Sequence, residues 1–260
     1  MNIAIDAHDI TLIGGIERFV AQFANAMTRR GHHIFLFTYA AAGAIAHFPL
    51  EPSTSIIHYD FSGDRIRIPT LRQQLLACRA DLCLSPASYN NHLLWCAALE
   101  GTGIPWIYSE HSNPWIIEQE RWSRAERQAT LCAADAVHVL LESFRESVPR
   151  VAQERVHVIP NPLDIPIAGE PAPESSRKTL LSLGRLAENK QNSLLVRAFA
   201  SLSPAFPAWH LDIWGTGAEE KALQREITAL GMTEKIRLCG ATSTPRDRYL
   251  GADIFCMSSR

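Results

Sequence analysis

The sequence lacks most of the short patterns that mark familiar sites. Its six cysteines, at 78, 83, 96, 132, 239 and 256, form no C-x-x-C pair, which removes the usual redox dithiol and zinc-ribbon motifs. Ten histidines are scattered without an H-E-x-x-H pattern, so nothing points to a metal centre. There is no G-x-G-x-x-G, the dinucleotide fingerprint. No stretch approaches the roughly 18 apolar residues that a membrane-spanning helix needs. Twenty-five Lys and Arg against 27 Asp and Glu leave a net charge of −2, which gives no overall attraction to nucleic acid or anionic lipid. The opening MNIAID reads as a strand rather than a basic leader. The expectation is a soluble or peripheral protein with free thiols in a reducing cytosol.

What is present is a globular composition, 47% hydrophobic and 20% charged over 260 residues, enough for one large or two modest domains. Asn2 to Asp6 reads as a strand. Gly14-Gly15 then leads into Ile16-Glu17-Arg18, and Phe19, Val20, Phe23, Ala24 and Met27 recur at helical spacing up to a stop at Gly31. His33 to Thr38 is a second strand, which completes a βαβ unit whose helix N-terminus can face a ligand. The segment Arg65 to Arg79 carries arginines at 65, 67, 72 and 79 beside Leu71, Leu75 and Leu76. It reads as a helix packed on a sheet with its arginines in water, or as a basic amphipathic helix touching a membrane surface. Pro105 to Ser109 is a core strand that delivers Glu110, His111, Ser112 and Asn113 to its C-terminal end, where open α/β sheets place ligand groups. Glu118 to Ala133 alternates in charge and reads as one exposed helix. Residues 165–178, rich in proline, read as a linker between a first domain, 1–164, and a second, 179–260.

The second domain opens with the apolar run Leu180 to Leu183, followed by Gly184, Arg185, Leu186 and, just before a helical pattern, Lys190. A glycine, a guanidinium and an ammonium between a strand end and a helix start suit a diphosphate. Glycine allows close backbone approach, arginine offers a planar fork and lysine a mobile point charge. Further on, the strand Trp209 to Trp214 runs into Gly215-Thr216-Gly217, and the chain closes on Tyr249 to Ser259.

Taken together these segments resemble the retaining family 4 glycosyltransferases. Their G-R-L-x-x-x-K segment is matched by Gly184, Arg185, Leu186 and Lys190, and their G-G-x-E-R loop by Gly14 to Arg18. The A-D-x-V segment is matched around Asp135, the I-P-N hinge at Ile159 to Asn161, the G-x-G turn at Gly215 and Gly217, and the Y-x-x-A-D-x-F stretch from Tyr249. The resemblance implies the GT-B fold, two Rossmann-like α/β domains. It also implies transfer of a sugar from a nucleotide-sugar donor to an acceptor hydroxyl with retention, in bacterial surface polysaccharide or lipid-linked glycan synthesis. Catalysis would fall to His111 at the donor sugar and to Arg185 and Lys190 at the diphosphate, with no metal and no cofactor. Gly184, Gly215 and Gly217 would bind the donor nucleotide. Gly14 and Gly15 would face the acceptor or its phosphate, Glu110 would bind the acceptor or equally cap the next helix, and partners would be a nucleotide sugar and a carbohydrate or lipid-linked acceptor. Cytoplasmic location follows, with peripheral contact at the inner membrane face. The family's E-x7-E pair has no counterpart, since the last glutamate is Glu234, so an incomplete second domain is expected. A nucleotide-sugar 2-epimerase of the same architecture and an inactive remnant are the alternatives.

Overall fold

The computed structural model describes residues 1–59, 67–86, 92–120, 123–162 and 177–259. The chain divides into two compact units, Met1–Leu163 and Asp164–Arg260, each with its own parallel sheet. Nearly all of the linker expected over 165–178 lies outside the described residues.

In the first unit the strands are β1 (Asn2–His8), β2 (His33–Thr38), β3 (Ser55–His58), β4 (Leu82–Pro86), β5 (Trp106–Glu110), β6 (Ala136–Val139) and β7 (Val156–Val158). They lie in the order β3-β2-β1-β4-β5-β6-β7, every pairing parallel. The order reverses direction between β1 and β4, the switch point where such sheets open a ligand crevice at their C-terminal edge. Helices cover both faces, so β1 is buried continuously from Ile3 to Ala7. Its period-2 alternation sends Ala4 to one core and Ile3 and Ile5 to the other. Helix α1 (Gly15–Arg29) presents Val20 and Ala24 to that second core. It ends at Arg30 and Gly31, the latter at φ +83°, a left-handed stop that glycine accepts without strain.

Two helical expectations need correction. Glu118 to Ala133 is not one exposed helix but α4 (Pro114–Glu120) and α5 (Arg124–Ala133). Ser123 caps α5 in a reciprocal pair with Glu126, and Arg127 in its middle is fully buried. The basic segment forms α2 (Arg67–Ala77), with Leu71 and Leu75 buried but Leu76 about half exposed. Arg72 is not free in water. It donates to the carbonyls of Ala97 and Ala98 at 2.8 and 3.1 Å, closing the C-terminus of α3 (His92–Leu99). Arg65 lies outside the described residues.

The second unit has the sheet order β10-β9-β8-β11, from β8 (Lys178–Leu183), β9 (Trp209–Trp214), β10 (Ile236–Leu238) and β11 (Ile254–Phe255). Its core gathers Leu186, Leu195, Val196, Phe199, Leu211, Ile213, Leu223, Ile227 and Ile236. After the short α6 (Glu142–Arg145) of the first unit, the helices α7 (Asn192–Leu202) and α8 (Glu220–Ala229) supply the central part of that set. Ile254, Phe255 and Met257 remain 50%, 41% and 57% exposed.

One device recurs in both sheets. Asp81, Asp135 and Asp253 each follow an alanine and precede a strand. Each carboxylate accepts a backbone N–H at the start of the neighbouring strand, from its first residue at Asn2 and Trp106 and its second at Thr179, at 2.7, 2.8 and 2.7 Å. Each aspartate N–H returns a bond to the same residue's carbonyl, at 2.8, 2.9 and 3.0 Å. The pair pins strand register at the N-terminal edge of the sheet.

Among the described residues no helix is long and apolar enough to cross a membrane. All six cysteines are free, and only Cys83 is buried.

Candidate functional site

The C-terminal edge of the first sheet collects a histidine network. Ser109 and His138 face each other in register across β5 and β6, and His111 follows β5. His138 Nε2 lies 2.7 Å from the Ile159 carbonyl. Ser109 Oγ lies 2.6 Å from His138 Nδ1 and 2.9 Å from His111 Nε2. The remaining ring nitrogen, His111 Nδ1, is buried without a partner among the described residues. Phe19 of α1 covers the ring, with centroids 4.4 Å apart. Burial, reinforced by the neighbouring His138, pushes the His111 pKa down to about 4, so the ring is neutral at pH 7. His111 therefore stands at the strand end the sequence assigned to it. The sequence does not single out Ser109, His138 or Phe19 as site residues. The one signal for Ser109 and His138 is a polar side chain near the end of each of two adjacent apolar strands, and Phe19 shows only in the apolar spacing of α1.

Glu110 requires a correction. It was expected at the acceptor, yet its side chain is fully buried against Arg127. Arg127 Nε and Nη2 donate to its two oxygens at 3.0 and 2.6 Å. The remaining N–H groups reach Glu118 at 3.0 Å and the Ser147 carbonyl and hydroxyl at 3.0 and 2.8 Å. All five guanidinium donors are thus engaged. The strand alternates, so Glu110 points inward while His111 leaves the sheet.

The Gly14-Gly15 loop starts α1. Gly14 is the N-cap residue, and a Cβ there would stand 2.1 Å from Glu17 Oε2, whereas a Cβ on Gly15 would meet nothing within 4 Å. The Glu17 carboxylate is the movable end of a side chain, so the fold can accommodate a Cβ at Gly14, and Gly15 borders open space.

In the second unit, three loops at the C-terminal sheet edge are joined through their backbones. Gly184 and Leu186 donate to the carbonyls of Trp214 and Thr216, each at 2.9 Å, and Glu219 N–H returns to the Leu186 carbonyl at 3.0 Å. Gly215 N–H reaches the Gly240 carbonyl at 2.7 Å. This close packing explains the G-x-G. A Cβ on Gly215, at φ +140°, would come within 1.9 Å of the Gly184 carbonyl oxygen, and one on Gly217 within 2.3 Å of that of Leu186. A Cβ on Gly184 would meet nothing within 4 Å, so that glycine answers to no protein contact. Lys190 ends a short 3-10 turn, and Gln191 takes the left-handed conformation at φ 48° before α7 begins. Ser258 donates to the carbonyls of Lys190 and Gln191 at 2.8 and 3.1 Å, fixing that turn. The side chains of Arg185, which is exposed, and Lys190, which is half-buried, have no partner among the described residues. Two unpaired cations flank a backbone loop held rigid from below. An arrangement of that kind can bind an anion without first breaking an ion pair.

Fold and loops together define a two-unit α/β protein of the GT-B class. The family profile Glycosyltransferase Family 4 matches residues 13–165, and the profile Glycosyl transferases group 1 matches 167–260. The chain belongs to Glycosyltransferase Family 4. It is 34% identical over 93 residues to the mannosylfructose-phosphate synthase of Agrobacterium fabrum, covering 32% of this chain and 20% of that protein. It is 29% identical over 112 residues to the N-acetylgalactosamine-N,N'-diacetylbacillosaminyl-diphospho-undecaprenol 4-alpha-N-acetylgalactosaminyltransferase of Campylobacter jejuni, covering 42% and 30%. An exopolysaccharide phosphotransferase of Streptomyces coelicolor shares 30% over 132 residues, 49% and 14% of the two chains. The chain thus spans well under half the length of these curated relatives. Among solved structures, HepE of Anabaena in complex with UDP and glucose superposes with a TM-score of 0.75 at 16% identity, over 100% of this chain and 74% of that one. The lipopolysaccharide outer core galactosyltransferase WaaB gives 0.70 at 15%, with the same coverage. At these identities the structural likeness establishes the fold.

Proposed function

We propose that this chain carries the donor-diphosphate loops and the sugar-facing histidine of a retaining glycosyltransferase, which moves a sugar from a nucleotide-sugar donor to an acceptor hydroxyl. The observation that carries the reading is the pair Arg185 and Lys190, unpaired beside the bare Gly184 backbone. The two cations neutralise the diphosphate as negative charge develops on departure, the place where a preorganised contact contributes most. They take the part that a divalent metal plays in other transferases. Gly184 lets the phosphates approach the main chain, and Gly215 and Gly217 hold that main chain in place. His111 orients the donor sugar, and Gly15 leaves room for the acceptor. Bacterial surface polysaccharide or lipid-linked glycan synthesis at the cytoplasmic membrane face fits the exopolysaccharide and undecaprenol relatives.

Calorimetry with UDP tests the reading. UDP should bind the unaltered chain, and Arg185→Ala and Lys190→Ala should each weaken it by about 10- to 100-fold, as expected for a charge-assisted hydrogen bond worth roughly 1.5–3 kcal/mol. His111→Ala should leave UDP affinity intact while depressing transfer. UDP affinity unchanged in both cation variants would refute the assignment, and transfer that requires an added divalent ion would remove the charge role given to the two cations.

A further inference from the structure

The hydrogen-bond chain running from Ile159 to His111 has only one consistent proton arrangement. A carbonyl oxygen 2.7 Å from His138 Nε2 requires a proton on that nitrogen. In a neutral ring Nδ1 is then a bare acceptor, so the Ser109 hydroxyl must donate to it across 2.6 Å. With its own proton spent, Ser109 Oγ can only accept from His111, across 2.9 Å, which places the His111 proton on Nε2. His111 Nδ1 is left as a lone pair with no partner among the described residues. Doubly protonated His111 would instead bury an unmatched N–H there, a state that desolvation opposes.

We propose that His138, acting through Ser109, is a positioning residue that fixes His111 as its neutral Nε2–H tautomer, so that His111 serves the site as a hydrogen-bond acceptor at Nδ1. This deepens the glycosyltransferase reading and rests on it for the ligand. A bare nitrogen lone pair accepts from a sugar hydroxyl and repels a phosphate oxygen, which has no proton to give. His111 therefore meets the hydroxyl side of the donor and not its diphosphate. The relay is anchored on the Ile159 carbonyl just beyond β7. The tautomer thus depends on the backbone that leads out of the first unit.

Nitrogen NMR of the protein labelled with 15N-histidine reads the tautomer directly, with His111→Gln used to assign the signal. At pH 7 the unaltered chain should show His111 protonated at Nε2 only. Ser109→Ala removes the link, and His138→Phe removes the acceptor while keeping a ring of similar shape. In either variant the His111 signals should move to a mixture of the two tautomers. Transfer should fall about tenfold in kcat with KM for the donor within twofold, and Ser109→Thr, which restores a hydroxyl, should recover the Nε2–H signature. Protonation of His111 at Nδ1 in the unaltered chain overturns the proposal. So does a tautomer that both variants leave unchanged, or a kcat that they leave unchanged. If the unaltered chain neither binds UDP nor shows transfer with any donor, the donor-site reading fails and the NMR result alone decides the relay.

Discussion

Removing one member of the Glu110–Arg127 pair should cost far more than a surface ion pair would. Both side chains are fully buried, and Arg127 spends all five N–H groups on Glu110, Glu118 and Ser147. Arg127→Met strands the Glu110 carboxylate in the core. Breaking a buried pair from one side typically costs about 3–5 kcal/mol, a large fraction of the 5–15 kcal/mol available to a domain. Glu110→Gln is milder. The amide still accepts one bond but turns an NH2 group toward a guanidinium donor, for a loss of about 1–3 kcal/mol. Glu110→Leu combined with Arg127→Met removes both charges, and an apolar replacement of a buried pair can be close to neutral. The double variant should therefore be more stable than Arg127→Met alone. Hydrogen exchange on peptides covering 106–110 and 136–139 reports the opening energy of the first sheet without assuming that the two units unfold together. A change below about 1 kcal/mol in Arg127→Met, the range of an exposed pair, would refute the reasoning. Additive losses in the double variant would refute it too. If Glu110 served an acceptor hydroxyl, Glu110→Gln would instead lower transfer with the sheet's exchange unchanged.

Two further outcomes follow from burial and close contact. Gly215→Ala forces a Cβ against the Gly184 carbonyl and should lower the melting temperature of the second unit by several degrees, an overpacking cost of about 1–3 kcal/mol. Gly184→Ala should leave that temperature nearly unchanged and weaken UDP binding, and the reverse pattern in calorimetry would refute the distinction between the two glycines. Asp6 is buried at the end of β1, and desolvation raises its carboxyl to about 7 against the bonds from His8 N–H and Tyr59 OH that lower it. The folded state thus keeps a proton that the unfolded chain releases. This contribution to stability is present below about pH 4 and is lost as pH rises to about 7, on the order of 4 kcal/mol in all. Asp6→Asn should flatten the urea midpoint between pH 5 and 8, and an unchanged slope in that variant would refute the assignment.

The strands were largely legible because parallel strands covered on both faces are short apolar runs ended by turn residues. Trp209–Trp214 and His33–Thr38 were read to the residue. Helix α1 was legible because its apolar spacing and its stop at Gly31 agree. Arg127 was not, since a buried arginine in a charged helix looks like an exposed one. What settles its position is Glu110, 17 residues earlier, and no local pattern carries that pairing. Arg72 fails in the same way, its partners being carbonyls at the end of a different helix. His138 sits alone in an apolar strand, where a histidine is ordinarily structural. Only its register opposite Ser109, a property of the sheet, gives it a part in the site.

The segments that mark this family are therefore of two physical kinds. Ala134-Asp135 and Ala252-Asp253 match motif positions, yet their carboxylates lie at the N-terminal edge of the sheets, where they accept an N–H from the start of the adjoining strand. Ala80-Asp81, which no motif singled out, makes the same bonds. A residue pair that recurs in three strands across two units, at the edge away from every candidate ligand group, is accounted for by register alone. Gly215 and Gly217 also answer to the fold, since a Cβ on either would strike a backbone carbonyl. Gly184 and Gly15 do not, because added side-chain atoms there meet nothing. Arg185 and Lys190 do not either, having no partner among the described residues, and His111 Nδ1 is left with an unused lone pair. Those positions, which the fold does not require, are the ones on which the proposed donor site rests, and they all lie at the C-terminal edges of their own sheets.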